Sequence, residues 1–297
     1  MFNRPNMNKD NTARHSDGEG KQANIGTQQQ WEQIDSRIPG AIEIVNRYSD
    51  LTENIASASV PLKSLADKII FGLSRVCIEE SQEILLLATN GYPSGASKLL
   101  RGFYERTVTV LYLKKHPEKA ERFQHYAAIQ EHRVLAAARK LFSDEQLNAA
   151  WKTVRVADIE ASYVKFKAEF QRTKCKACKT MELAHSWDVD LGTMADRVDE
   201  GMPDLYLSSY TVPTLRAHAT FASAYANMTE SEDRVVYSFE HPDAAVDLCI
   251  IQVFTLIHRV FDSAVTVFGL PFGDAVKKFG QSLQVFLPYK DASSNAK

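Results

Sequence analysis

Between Ser94 and Lys115 the sequence SGASKLLRGFYERTVTVLYLKK places Leu99, Leu100, Phe103, Thr107, Val110 and Leu111 at steps of three and four residues. That period belongs to an α-helix with one apolar face, and such a face folds only if other elements cover it. Gly91, Pro93 and Ser94 supply a start signal, and His116 with Pro117 a stop. The rest of the chain offers the same material. Apolar residues recur at helical spacing through Leu65, Ile69, Leu73, Ile78, Ile84 and Leu85, and again across 242–268. Only 13 Gly and 10 Pro are spread over 297 residues. Long helical periods with few turn residues predict an all-α protein, a multi-helix bundle of about eight to ten helices.

The order of elements follows from the same signals. Residues 1–28, rich in Asn, Gln, Lys, Gly and Asp with few aliphatics, read as a disordered tail, and 29–290 as a single helical domain. Helices are expected over Trp31–Arg37, Ala41–Ala58, Pro61–Thr89, Ser94–Lys115, Pro117–Phe142, Asp144–Arg172, Leu191–Asp199, Pro203–Tyr210, Pro213–Met228, 242–268 and Phe272–Phe286. Thr173–Asp190 and Thr229–Glu240 are expected as loops.

Charge is informative in its distribution. The net value is −2, which supports no global argument for nucleic acid. Residues 94–180, however, hold 18 Lys/Arg against 9 Asp/Glu, and residues 181–245 hold 3 against 12. The basic stretch can attract RNA phosphates or dock on the acidic one. Four cysteines and no leader-like start indicate a cytoplasmic protein. Ala244–Leu270 is apolar but carries Asp247, His258, Arg259 and Asp262, so it reads as a core helix and no membrane association is expected.

Most standard chemistry is excluded. No phosphate-binding Gly-rich loop, nucleophile elbow or His-Glu-x-x-His pair occurs. Cys175-Lys-Ala-Cys178 followed by His185 is part of a zinc pattern without its fourth ligand, so neither metal nor cofactor is expected. His258, on the Phe254 and Phe261 stripe with Asp262 at i+4, reads as a core histidine bonded to that carboxylate or to backbone. Arg234 and His241, with six residues between them, match the Arg-x4–6-His spacing of HEPN ribonucleases, a pairing of little weight given 16 Arg and 8 His in the chain.

Off the apolar stripe of Ser94–Lys115, Arg101, Glu105, Val108 and Tyr112 form a second face. The plain alternative for Arg101 and Glu105 is an exposed ion pair worth roughly 0.3–0.5 kcal/mol. RGFYERTVTVLYLKKHPEKAERFQHYAAIQ, with Trp187 and YTVPTLRAHATF, resembles a family of uncharacterised bacterial helical proteins over roughly residues 60–225. More distantly the chain looks similar to the HEPN group. The resemblance implies a catalytic set of Arg101, Glu105 and His218. A stripe of Leu215, His218, Phe221, Ala222 and Tyr225 would carry the imidazole into an inter-helix groove. His218 would serve as general acid/base, Glu105 as its orienter and Arg101 as the phosphate-stabilising group. The function expected is a defence- or toxin-type protein binding or cleaving RNA through the stretch 94–180. The alternative is a non-catalytic helical sensor or interaction module, with a homodimer open to either.

Overall fold

A computed structural model describes residues 25–151, 154–175, 178–198, 201–225, 227–231, 234–238 and 242–286. In chain order the helices are α1 (Gln28–Arg37), α2 (Ala41–Ser57), α3 (Leu65–Thr89), α4 (Pro93–Lys115), α5 (Ala120–Ala138), α6 (Asp144–Ala150) and α7 (Val156–Phe166). They continue as α8 (Leu191–Val198), α9 (Met202–Tyr206), α10 (Val212–Ala217), α11 (Phe221–Tyr225), α12 (Asp243–Phe268) and α13 (Gly273–Ser282). Two antiparallel hairpins interrupt them: β1 (Gln171–Cys175) with β2 (Thr180–Leu183), and β3 (Met228–Ser231) with β4 (Arg234–Tyr237). The protein is all-α in class, and the two segments expected as loops each contain a hairpin. The expected tail falls mostly outside the described residues. Its last part is ordered, since Ile25 is buried and its carbonyl accepts from Trp31 Nε1 at 2.6 Å.

The chain divides into two compact units, Glu121–Val189 and the segments Lys21–Ala120 with Asp190–Lys297. In the smaller unit α5, α6 and α7 close over Leu135, Leu147, Val156 and Ile159, with Trp151 packed against them. The single helix expected over Asp144–Arg172 is broken after Ala150, where Trp151 caps α6, and Asn148 Oδ1 accepts from Val156 N to start α7. His132 stacks on Tyr163 and His125 on Phe166, at ring separations of 3.6 and 3.8 Å. Much of the basic stretch is paired within this unit. Arg122 meets Asp188, Arg139 meets Asp144 and Glu160, and Arg172 and Lys174 meet Glu182.

The larger unit is built around α4. Leu100, Phe103, Thr107, Val110 and Leu111 are buried as their spacing predicts, but Tyr104, Val108 and Tyr112 are buried as well. The helix is covered on nearly all sides, by α3, α12, α8, α10 and the turn before α10. A helix apolar on one stripe and aromatic on the next is therefore central, and the second face read from the sequence is mostly interior. α12 is, among the described residues, the one helix long and apolar enough to cross a membrane. Its apolar surface packs on α3 and α4 instead, with Phe254 and Phe261 against Tyr48 and Phe279.

Start signals moved two boundaries. α3 begins at Leu65, because Ser64 and Asp67 form a reciprocal capping box, and not at Pro61. Met202–Ala217 is continuous helical backbone through a π turn, Leu207–Thr211, in which Val212 N donates to Leu207 O. Pro213 lies just after this turn. Its ring would collide with the carbonyl four residues back in a regular α-helix, and the wider turn relieves that conflict, so Pro213 marks a distortion and not a fresh start.

Candidate functional site

The helix expected over Pro213–Met228 stops at Ala217. His218 is extended, with φ −100° and ψ 158°, and Thr220 makes a new start. Thr220 Oγ1 accepts from Ser223 N, Ser223 Oγ accepts from Thr220 N, and the Thr220 hydroxyl also donates to Leu215 O. One residue therefore closes α10 and opens α11. Leu215 and Phe221 are consequently 47% and 75% exposed, so the stripe from which His218 was placed is not buried.

His218 faces a pocket of about 410 Å³ instead. Two long helices begin on its wall: α4 contributes Pro93 and Ser94, and α12 starts at Pro242 and contributes Ala245. Neither helix has a side-chain cap at its N-terminus, although α12 carries Asp243 in its first turn and Ala245 N donates to Pro242 O. Lys98, one turn into α4, and Arg216, at the end of α10, line the same space as His218. No carboxylate lines it among the described residues, and there neither Lys98 nor Arg216 has an ion-pair partner. Asp243, in the first turn of α12, is turned to Arg37 at 3.5 Å.

Neutral donors complete the wall. Ser94, Ser223 and Asn227 line the pocket, and Tyr237 from β4 stands beside Asn227, whose Nδ2 donates to its hydroxyl at 3.3 Å. Beneath them the Cys249 thiol donates to Pro93 O at 3.7 Å. Burial pushes that thiol up to about 11, while the Arg216 charge pulls the other way.

The three residues implied by the resemblance are placed differently from one another. Arg101 follows Lys98 by one turn of α4, half-buried, with its guanidinium carbon 5.2 Å from the Tyr210 ring centroid and its Nε buried without a hydrogen-bond partner. Tyr210 belongs to a cluster with Tyr206 and Tyr104 at centroid distances of 5.2 and 6.2 Å, and the Tyr104 hydroxyl donates to Met202 O. Burial raises the Tyr104 and Tyr206 phenols above their ordinary values. Glu105, a further turn along, is exposed. Of the three, only His218 lines the pocket, and no hydrogen bond or ion pair joins any two of them among the described residues. Lys98 and Arg216 are what sequence reasoning missed. The available signal was Arg216-Ala-His218 beside a helix end, hidden by reading Pro213 as the start of a helix running through it.

Elsewhere His258 is half-buried as a core histidine. It bonds to the Val276 backbone, while Asp262 pairs with Lys114 at 3.1 Å. In the zinc-like segment Cys178 and His185 are exposed, the Cys175 side chain lies outside the described set, and no group of three or more metal-ligating side chains occurs among the described residues. His241 of the Arg234 pairing also lies outside them.

The larger unit is thus organised on a buried central helix, with an open pocket lined by Lys98, Arg216 and His218. Residues 67–235 match a family of unknown function (DUF5677), and the chain belongs to that family. The match runs from α3 to β4 and includes Lys98, Arg101, Glu105, Arg216 and His218. No curated protein and no solved structure matches the chain.

Proposed function

We propose that this protein binds RNA, with the pocket of Lys98, Arg216 and His218 as the place where a phosphate group is held. The observation that carries this reading is the convergence of three basic side chains on two uncapped helix starts with no acidic lining residue among those described. Such an arrangement favours an anion through charge and through the guanidinium fork. The HEPN-like relationship and the bacterial defence or toxin setting implied by the sequence resemblance belong to this reading. If the RNA is cleaved, His218 is the group on the pocket wall with general acid/base chemistry.

The test is fluorescence polarisation with a labelled single-stranded RNA at low and high salt, comparing wild type with Lys98→Ala/Arg216→Ala. Both side chains are exposed, so folding should persist, and melting curves check this. Binding should weaken about tenfold or more in the variant and fall steeply with salt. His218→Gln, assayed for RNA breakdown, separates binding from cleavage. Absence of any binding at low salt would refute the reading.

A second reading, a helical interaction module, is favoured by apolar groups left in solvent: Phe221 at 75%, Val235 at 60% and Val236 at 58% exposure. A dimer in sedimentation that Val235→Lys/Val236→Lys dissociates would support it.

A further inference from the structure

We infer that the pocket recognises the phosphorylated end of a single RNA strand, a phosphate monoester, in preference to an internal phosphodiester. This rests on the RNA reading above and specifies its ligand. An internal phosphodiester carries one negative charge and continues as chain on both sides. A terminal monoester carries about −1.5 to −2 at pH 7, has three acceptor oxygens, and continues on one side only.

The pocket matches the second. Lys98 and Arg216 bring two permanent positive charges, and His218 adds a third when protonated. Neither Lys98 nor Arg216 has a carboxylate neutralising it among the described residues, so the site holds charge suited to a dianion. The donors are of different kinds and come from different elements: α4 with Lys98 and Ser94, and the end of α10 with Arg216. Donors set around a concave space can reach several oxygens of one phosphate, whereas a strand running past would present one or two.

Size and composition agree. About 410 Å³ lies in the range of small-molecule sites, about 300–1,000 Å³, and suits one nucleotide at the end of a strand. Tyr237 and Asn227 stand on the same wall, with Asn227 Nδ2 donating to the Tyr237 hydroxyl at 3.3 Å.

The experiment measures affinity for one short RNA sequence prepared in three forms: with a 5′-monophosphate, with a 3′-monophosphate, and with hydroxyls at both ends. A nucleoside monophosphate and inorganic phosphate serve as competitors. One phosphorylated form should bind about tenfold or more tightly than the hydroxyl form. That advantage should vanish in Lys98→Ala/Arg216→Ala, while the variant keeps the wild-type melting temperature. Equal affinity for all three forms, still lost in the double variant, would overturn end recognition and leave RNA binding at the pocket standing. Competition by the monophosphate without binding of any RNA would keep the monoester pocket and remove the RNA reading. RNA binding unaffected by the double variant would overturn both the pocket and its ligand.

Discussion

Gly280, in α13, is set by its neighbour on α12. A Cβ added at this position would lie 3.0 Å from His258 Cε1 and 3.1 Å from Cδ2, and closer still to Nε2. Alanine is otherwise favoured over glycine inside a helix by roughly 0.5–1 kcal/mol. At this site the imidazole would have to swing away, which costs about 1–3 kcal/mol in overpacking. Gly280→Ala is therefore expected to destabilise the protein by about 1–2 kcal/mol, against the helix-propensity rule. In a His258→Ala background the obstruction is gone, and the same substitution should stabilise by about 0.5–1 kcal/mol. The coupling in the double-mutant cycle, measured by urea unfolding of the four proteins, should be about 2 kcal/mol. Coupling below about 0.5 kcal/mol would show that the ring yields at no cost, and the packing argument would fail.

The same histidine gives a pH dependence. Burial first, and then the Arg259 charge, lower the His258 pKa, so the unfolded chain takes up its proton before the folded one does. Stability should fall as pH drops below the ordinary histidine value of about 6.5, and His258→Gln should flatten that slope; a wild-type melting temperature unchanged between pH 7.5 and 5.5 would count against it. Cys77 and Cys249 are buried and pushed up to about 12 and about 11, so neither should react with an alkylating reagent at pH 8 until the protein unfolds. Mass spectrometry locating label on Cys249 in native protein would show that the floor of the pocket opens.

Much of the architecture was readable because helical period is a strong local signal. α2, α4, α8 and α12 begin within a residue or two of where caps and apolar spacing put them. What escaped was non-local or depended on a single side chain. Nothing in the spacing of Tyr104, Val108 and Tyr112 says that a second layer of helices covers them, so α4 reads as amphipathic although it is central. The hairpins were missed because their strands are only four and five residues long, too short for a period of two to stand out. At the site, the expected stripe would have buried His218 beside Arg101 and Glu105, whereas His218 lines an open pocket and no hydrogen bond or ion pair joins the three among the described residues. The reciprocal pair of Thr220 and Ser223 is a capping box with serine in place of the usual Glu or Gln, so the break before α11 carried a weak signature. Lys98 and Arg216 meet only in three dimensions, from segments over a hundred residues apart.

The π turn at Leu207–Thr211 has a consequence of phase. An α-helix turns about 100° per residue, and a turn closed by a bond to the fifth residue back holds one residue more than its neighbours. Everything after Thr211 is thus rotated by about 100° from where an uninterrupted helix begun at Met202 would have carried it. Ser209, wholly buried, and Tyr210, over Arg101, keep the earlier phase; Arg216 and His218 follow the later one. A single helical rod in this way presents aromatic groups to the core at one end and cations to an open pocket at the other. The azimuth of those cations is a property of residue count, held five positions upstream of Arg216.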